Sequence, residues 1–259
     1  MNRFVTVTLF MVLVLNTAWG QLLRYSSDTW TLLDNNPVDH GEVVFDPQTG
    51  TVSVSDPLAL PAAVDLAGLE TGSDGAWLFS VDSSVLLDGV LVSRSDVGQL
   101  SGGVYSVAFD GSSEGVSSGA GVDAVTIDGD DLLLSFDVTI DFGTFVAHDE
   151  DLVRYDGADL SLELDLSAEG LPENLDLEAV HRLDDGTYLL SLTTHGEVSG
   201  VSFADEDILG LDPSDSGWSM AFDGSTMHAD LGDVSIDALS TAGELIFEDG
   251  FETVVMLFR

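Results

Sequence analysis

Short runs of apolar residues, separated by clusters of Gly, Asp and Ser, recur along most of the chain. In residues 160–166 a leucine occupies every second position, and Ser161, Glu163 and Asp165 lie between them. This period of two is typical of a half-buried strand. Other runs, such as 132–135, are almost continuously apolar, as in strands covered on both faces. No segment has a sustained helical period, so the pattern predicts an all-β chain.

A set of these runs repeats at a nearly constant interval. The segment Val-Asp-Ala-Val at 122–125 has copies at 177–180 and 236–239 and a weaker copy at 64–67, with acidic positions 58, 55 and 59 residues apart. Each copy begins a series of four runs of about five to seven residues, the length of strands. Four antiparallel strands per repeat are typical of a β-propeller blade. The complete periods are 65–122, 123–177 and 178–236.

The two ends of the chain supply further strands that suit closure of a ring. Residues 23–25 and 30–32 resemble the third and fourth strands of a blade, and residues 235–248 supply a first and a second strand. Joined in one blade, they would leave no open sheet edge. The segment 38–56 contains one more hairpin. The prediction is therefore an all-β propeller of four or five four-stranded blades, closed by strands from both termini.

The first twenty residues predict a secretory signal peptide. Arg3 precedes an apolar run at 4–15, and the small residues Ala18 and Gly20 suit cleavage before Gln21. The run is too short to span a membrane as a helix. The expected organisation is a signal peptide at 1–20, a single propeller domain at 21–248 and a tail at 249–259. We expect a secreted or periplasmic monomer with no membrane span after cleavage.

Composition excludes several classes of protein. The chain has 47 acidic residues against six arginines and a formal net charge of −41, which argues against nucleic acid as a partner. With 44% hydrophobic residues, it has enough apolar side chains to form a core. The absence of cysteine excludes disulfides and Cys-ligated zinc.

The loops suggest where a functional site would lie. The turns between first and second strands, and between third and fourth, are short, whereas the second-to-third and blade-to-blade connections are long and gather on one face, where function usually lies. Two identical acidic triplets stand on that face, and clustered carboxylates suit Ca²⁺. Their residues, the candidate metal ligands, are Asp149, Glu150, Asp151, Asp205, Glu206 and Asp207. The alternative is that these acids solvate the strand ends and discourage edge pairing.

No catalytic motif stands out. His148 beside Asp149 could serve as a base or a metal ligand, but an isolated loop histidine without a partner at fixed spacing is more often at the surface. The Gly-Ser-rich stretch at 111–121 lacks the lysine and helix of a phosphate-binding loop. Arg24, Arg94 and Arg154 occupy repeated positions interpreted as third strands, where they would neutralise neighbouring acids. No catalytic or cofactor-binding residue is assigned.

The blade pattern, from Asp-Ala-hydrophobic at 123–125 through Leu-Leu-Ser at 133–135 to Phe-Asp-Gly-Ser at 222–225, resembles uncharacterised repeat proteins that Gram-negative bacteria secrete. The resemblance implies a propeller and no particular activity. The segment 246–252 is similar to an Ile-Phe-x-Asp-Gly-Phe-Glu sequence near the C-termini of many exported bacterial proteins.

Two functions compete. The first is a non-enzymatic binding or adhesion module that presents the acidic long-loop face to an extracellular protein or glycan, with Ca²⁺ as a cofactor. The alternative is a secreted hydrolase or lyase acting on extracellular glycans. Because catalytic sites are rarely duplicated in every repeat, the paired triplets favour the binding module, and an enzyme is the less favoured interpretation.

Overall fold

The computed structural model describes residues 22–48, 51–232 and 234–242. Within them the chain is almost entirely strands and turns. In chain order the strands are β1 (Leu22–Ser27), β2 (Thr31–Leu33), β3 (Asn36–Val38), β4 (Val43–Asp46), β5 (Ser53–Ser55), β6 (Leu66–Thr71), β7 (Trp77–Val81), β8 (Val85–Leu87), β9 (Val90–Val92), β10 (Val97–Ser101), β11 (Val104–Phe109), β12 (Val122–Asp128), β13 (Asp131–Phe136), β14 (Ile140–Asp141), β15 (Val146–Ala147), β16 (Leu152–Tyr155), β17 (Leu160–Leu164), β18 (Leu177–Arg182), β19 (Tyr188–Leu192), β20 (Gly196–Val198), β21 (Val201–Phe203), β22 (Ile208–Asp212), β23 (Gly217–Phe222) and β24 (Ile236–Ala242). A helical turn α1 (Gly224–Met227) and a 3₁₀ turn (Ala229–Leu231) precede β24.

Sixteen of these strands form four antiparallel four-stranded sheets, the blades of a four-bladed β-propeller. From the axis outwards the strand orders are β24-β1-β4-β5, β6-β7-β10-β11, β12-β13-β16-β17 and β18-β19-β22-β23. The predicted fold class is confirmed, and the number of blades is four.

Strands from both ends of the described chain close the ring. β24 is the innermost strand of the first blade and pairs with β1, with Leu23 opposite Thr241. Closure by both termini is therefore confirmed, but the predicted division of strands is wrong. Residues 22–27 form the second strand of that blade rather than the third, and the hairpin at 38–56 supplies its third and fourth strands, β4 and β5. The predicted signal peptide and the tail at 249–259 lie outside the described residues.

Each second-to-third connection contains a small two-stranded hairpin that projects from the long-loop face. The four hairpins are β2-β3, β8-β9, β14-β15 and β20-β21. Three of them turn through two residues with positive φ: Asp34–Asn35, Asp88–Gly89 and Ser199–Gly200. Such type I′ turns suit the twist of paired strands and favour Asn, Asp and Gly. Some of the acidity thus follows from backbone geometry.

The core lies between neighbouring blades, around the polar axis. Leu133 of the third blade and Leu190 of the fourth are fully buried in one apolar cluster, and Phe79 of the second packs in another with Ala238 of the first. Burial of such a leucine or phenylalanine side chain contributes about 1.5–3 kcal/mol. These interfaces hold the inner strands β6, β12, β18 and β24 around one axis, and this arrangement positions the site.

Candidate functional site

The last acid of each triplet caps a turn at the start of a third strand. The Oδ2 atom of Asp151 accepts a hydrogen bond from the backbone N–H of His148 at 2.9 Å, and that of Asp207 accepts one from Ala204 at 2.9 Å. Asp96 caps the equivalent turn of the second blade, which lacks a triplet. Because a carboxylate bound to nearby backbone N–H groups stabilises a turn, these acids have a structural role.

The first acids of the triplets connect one blade to the next. The backbone carbonyls of Asp149 and Asp205 accept hydrogen bonds from Leu177 (3.3 Å) and Ile236 (3.2 Å), which begin the inner strands β18 and β24. The middle acids are also buried, and burial raises the pKa of Glu150 and of Glu206. In the part of the chain that the structure describes, no group of three or more Asp, Glu or His residues is arranged to hold a metal ion. The assignment of metal to the triplets stays a prediction.

A second set of acids surrounds the axis on the same long-loop face. We call it the axial mouth. Its members are Asp65, Asp123, Asp176, Glu178 and Asp237. The negative charges of Asp65 and Glu178 act on Asp237, and those of Asp176 and Glu178 act on Asp123, so residues from all four blades share one electrostatic environment.

A β-bulge at the start of an inner strand positions three of the five acids of the axial mouth. In β12 the register shifts between Val122 and Ala124, which leaves Asp123 as the extra residue. The same shift leaves Glu178 unpaired in β18 and Asp237 unpaired in β24. A bulge re-aims the side chain of its extra residue. Three blades therefore direct an acid out of the regular sheet at the same position.

Within the described residues, six buried carboxylate oxygens have no hydrogen-bond partner. Two belong to the first triplet, the Oε2 atom of Glu150 and the Oδ1 atom of Asp151. The other four lie in the axial mouth, one from each blade: the Oδ1 atoms of Asp65, Asp123, Asp176 and Asp237. Asp237 is only 5% exposed. A buried polar atom without a partner is costly, and native structures contain few of them. Four at one end of one axis require an explanation.

Burial and mutual repulsion make these acids hard to ionise. Burial, followed by the charge of Asp149, raises the pKa of Asp176 to about 7. Burial, followed by the charge of Asp28, raises the pKa of Glu178 to about 7. Burial also raises the pKa of Asp65 to about 7 and those of Asp123 and Asp237 well above their ordinary range. These acids are therefore protonated at a higher pH than surface carboxylates are.

Further along the axis a polar network, the axial plug, joins the four inner strands. Glu70 of β6 accepts hydrogen bonds from Thr126 of β12 (2.7 Å), Ser240 of β24 (2.9 Å) and the Nδ1 atom of His181 of β18 (2.8 Å). The hydroxyl of Thr241 lies 2.8 Å from the Nε2 atom of His181. All of these residues are buried. The network ties opposite blades together across the axis.

The hairpins present exposed apolar side chains at the rim of the long-loop face. Leu86 and Leu91 of the second blade are 66% and 58% exposed, and Trp30 beside β2 is 59% exposed. Side chains of this kind suit contact with another macromolecule.

The structure bears on the histidines and corrects the expectation about the arginines. His148 is exposed, as expected for a loop histidine, whereas His181 and His228 are buried, and the Nε2 atom of His228 lies 2.8 Å from the buried Asp46. The repeated third-strand position holds only for Arg154, since Arg24 lies on a second strand and Arg94 precedes β10. Arg154 does neutralise acids, with ion pairs to Asp128, Asp131 and Glu163.

The acids of the axial mouth were not predicted as a site from the sequence, although the repeat contains a signal for them. The repeated acidic position was used to measure the length of the repeat and was not interpreted as a site. The weak first copy was also aligned wrongly, because Ala67 rather than Asp65 is equivalent to Asp123. An acid between apolar residues at the start of an innermost strand, repeated in three blades, was the informative feature.

Comparison with known proteins leaves the family open. No known protein family matches the chain, and no curated protein matches it.

Several solved structures resemble the chain at low similarity. The luciferin-regenerating enzyme is 7% identical with a TM-score of 0.35, over 73% of this chain and 59% of that one. The extracellular domain of a putative one-component system from B. thetaiotaomicron is 10% identical with a TM-score of 0.34, over 80% of this chain and 30% of that one. This chain thus spans less than two thirds of either protein. A chain of the nidogen/laminin complex is 9% identical with a TM-score of 0.37, over 86% of this chain and 98% of that one. Such values assign no activity, and the fold assignment depends on the sheet topology itself.

Proposed function

We propose that this protein is an extracellular binding module whose axial mouth takes up a divalent cation, Ca²⁺, and so stabilises the long-loop face that meets the ligand. Because no group of three acids in the described residues is arranged around a metal ion, the mouth would draw its carboxylates together as the cation binds. The observation that carries the proposal is the set of four buried carboxylate oxygens, one from each blade, without hydrogen-bond partners. No helix within the described ranges is long and apolar enough to cross a membrane.

The donor set suits calcium among the common cations. Every member of the axial mouth offers carboxylate oxygen, which hard cations prefer. Calcium accepts six to eight oxygens in flexible geometry, whereas magnesium requires a near-ideal octahedron. A ring of acids from four separate blades can adopt the flexible geometry of calcium more readily than the octahedron of magnesium. The positive charge would also offset the repulsion that raises the pKa values of these acids.

The first residue of each triplet, Asp149 or Asp205, also contributes to the proposed cation site. The charge of Asp149 acts on Asp176, and that of Asp205 acts on Glu178, so both acids stand beside the axial mouth. They would supply outer carboxylates to the same cation. Asp151 and Asp207 keep their turn-capping hydrogen bonds in this arrangement.

The ligand of the module would be an extracellular protein or glycan. The exposed leucines and Trp30 at the hairpin rim support a binding surface on this face. The cation would act by holding the four blades in one arrangement beneath that rim.

The test compares calcium with generic salt. The melting temperature is measured by calorimetry in 1 mM CaCl₂ and in NaCl of equal ionic strength, for the wild type, Asp123→Asn, Asp237→Asn and the control Asp159→Asn. Asp159 is exposed in a turn on the opposite face, so its variant makes the same charge change away from the mouth.

We expect calcium to raise the melting temperature of the wild type and of Asp159→Asn more than NaCl does, because binding to the folded state stabilises it. Asp123→Asn and Asp237→Asn should be more stable than the wild type without calcium and should lose the calcium-specific rise. Equal effects of the two salts on the wild type would refute the proposal. So would a calcium-specific rise that survives in both mouth variants.

A further inference from the structure

A cavity opens at the other end of the axis, on the short-turn face. Its volume is about 470 Å³, within the range of small-molecule sites. The ends of all four inner strands contribute to its wall, including Glu70, Ile127, His181 and Thr241. This face is remote from the axial mouth, because each inner strand runs from the long-loop face to the short-turn face.

Three side chains of the axial plug form a relay at the bottom of this cavity. The hydroxyl of Thr241 lies 2.8 Å from the Nε2 atom of His181, and the Nδ1 atom of His181 lies 2.8 Å from the Oε2 atom of Glu70. A hydroxyl, an imidazole and a carboxylate in this order are the arrangement that activates a nucleophile. The relay joins three blades, since Thr241, His181 and Glu70 lie on β24, β18 and β6.

The surroundings of Glu70 determine which ring nitrogen of His181 donates to it and which one faces Thr241. Burial alone would raise the pKa of Glu70, but the charge of His181 and the hydrogen bonds from His181, Thr126 and Thr71 together lower it. An ionised carboxylate only accepts hydrogen bonds, so the Nδ1 atom of His181 carries the proton. The charge that acts on Glu70 belongs to the protonated imidazole, in which both ring nitrogens donate. When the imidazole is neutral with its proton on Nδ1, the Nε2 atom is an acceptor and the hydroxyl of Thr241 donates to it, and this is the form that can act as a base.

A fixed positive charge stands in the wall of the same cavity. The guanidinium of Arg182 is held by Asp128 at 2.8 Å and lies over the ring of Tyr188. Its Nε atom is buried, so Arg182 contributes through the positive charge of its guanidinium and not through a free N–H group. A pre-positioned cation can stabilise an oxygen that becomes negative during a reaction.

We propose that the short-turn cavity is a second, catalytic site, in which Thr241 is the nucleophile for hydrolysis of small carboxylic esters. The Oγ1 atom of Thr241 attacks the ester carbonyl carbon while its proton passes to the Nε2 atom of His181. Arg182 stabilises the negative oxygen of the tetrahedral intermediate. Its collapse breaks the bond to the alcohol oxygen, which takes the proton from His181, and water then hydrolyses the acyl-threonine by the same proton transfers in reverse. Glu70 acts as a positioning residue through His181. This inference is independent of the cation proposed for the other face.

A Thr–His pair elsewhere in the molecule provides a matched control. Thr139 lies 3.5 Å from the Nδ1 atom of His148, but this pair is exposed on the long-loop face, and no carboxylate of the described residues bonds to the other ring nitrogen of His148. Thr139→Val therefore removes the same group from a pair without a relay.

The experiment measures hydrolysis of p-nitrophenyl acetate and maps acetylated peptides by mass spectrometry. The wild type and Thr139→Val should accelerate hydrolysis and carry an acetyl group on Thr241. Thr241→Val and His181→Gln should lower kcat/KM by about a hundredfold or more, the usual effect of losing a general base or its nucleophile. Thr241→Ser should keep the activity, and Glu70→Gln should lower kcat with little change in KM.

Folding of each variant is checked by circular dichroism and thermal melting. Thr241→Ser retains the hydroxyl, so its activity tests the chemistry even where Thr241→Val is destabilised. A folded wild type that neither accelerates hydrolysis nor acquires acetyl on Thr241 would overturn the proposal. Acetylation at another residue, or a folded Thr241→Val variant as active as the wild type, would do the same.

Discussion

Glu178 offers the sharpest test of the electrostatics of the axial mouth. Burial and the charges of Asp28 and Asp205 raise its pKa from 4.5 to about 7. A raised pKa in the folded state means that folding favours the protonated acid. The contribution is fully present below pH 4.5, the unfolded value, and is lost as the pH rises through about 7.

The size of the effect follows from the shift. A change from 4.5 to about 7 corresponds to about 3 kcal/mol lost by pH 8, and to about 1 kcal/mol at pH 5. Because the side chain is only partly buried, solvent screening reduces the pH 8 figure to about 2–3 kcal/mol. Glu178→Gln keeps the shape and removes the charge. At pH 8 it should raise the melting temperature by about 5–10 °C in a protein of this size.

Calorimetry at pH 5 and pH 8, in buffer containing a chelator, measures this difference. Glu173→Gln is the control, since Glu173 is exposed in the connection that leads to the same strand. Its melting temperature should match that of the wild type at both values of pH. A Glu178→Gln variant that gains equally at pH 5 and pH 8, or that is less stable at pH 8, would refute the electrostatic account.

Three further predictions concern the triplets, the core and the cation. Asp207→Asn should lose about 1–2 kcal/mol of stability, with or without calcium, because it breaks a hydrogen bond from the backbone of Ala204 or of Gly224. An unchanged melting temperature would contradict the capping role of Asp207. Leu133→Ala should lose about 2–5 kcal/mol in chemical denaturation, since the residue is fully buried and the variant leaves a cavity; a loss under about 1 kcal/mol would contradict the packing. Calcium affinity, measured by titration calorimetry, should be lower at pH 6 than at pH 8, by about tenfold for each carboxylate of the axial mouth that must lose a proton to bind the cation. An affinity independent of pH would contradict ligation by these acids.

The strands of the complete blades could be predicted from local sequence, since each is a short run bounded by turn residues. The closing blade could not be assigned in this way. Leu23 pairs with Thr241 at the opposite end of the described chain, and the hydrophobic pattern of a strand does not name its partner. Residues 22–27 therefore suit a second or a third strand equally well until the ring is assembled.

The axial mouth and the axial plug differ in how clearly a comparison of the sequence repeats indicates their residues. The axial mouth uses acids that recur at one position in three blades, so the repeat itself contains the signal. The axial plug centres on an inner-strand position at which all four blades differ. Glu70, Thr126, His181 and Ser240 occupy it, and comparing the repeats therefore hides them.

The sequence by itself determined the fold class, the repeat, the closure by both termini and the face on which the long loops gather. These follow from local periodicity, turn chemistry and the length of the repeat. Only the tertiary structure decided which acids converge, that His181 lies against Glu70, 111 residues away along the chain, and that the last acid of each triplet caps a turn. The physical reason is that the ring brings the innermost strands of four blades together. Burial, mutual repulsion and hydrogen bonding at the axis depend on that assembly and not on any single repeat.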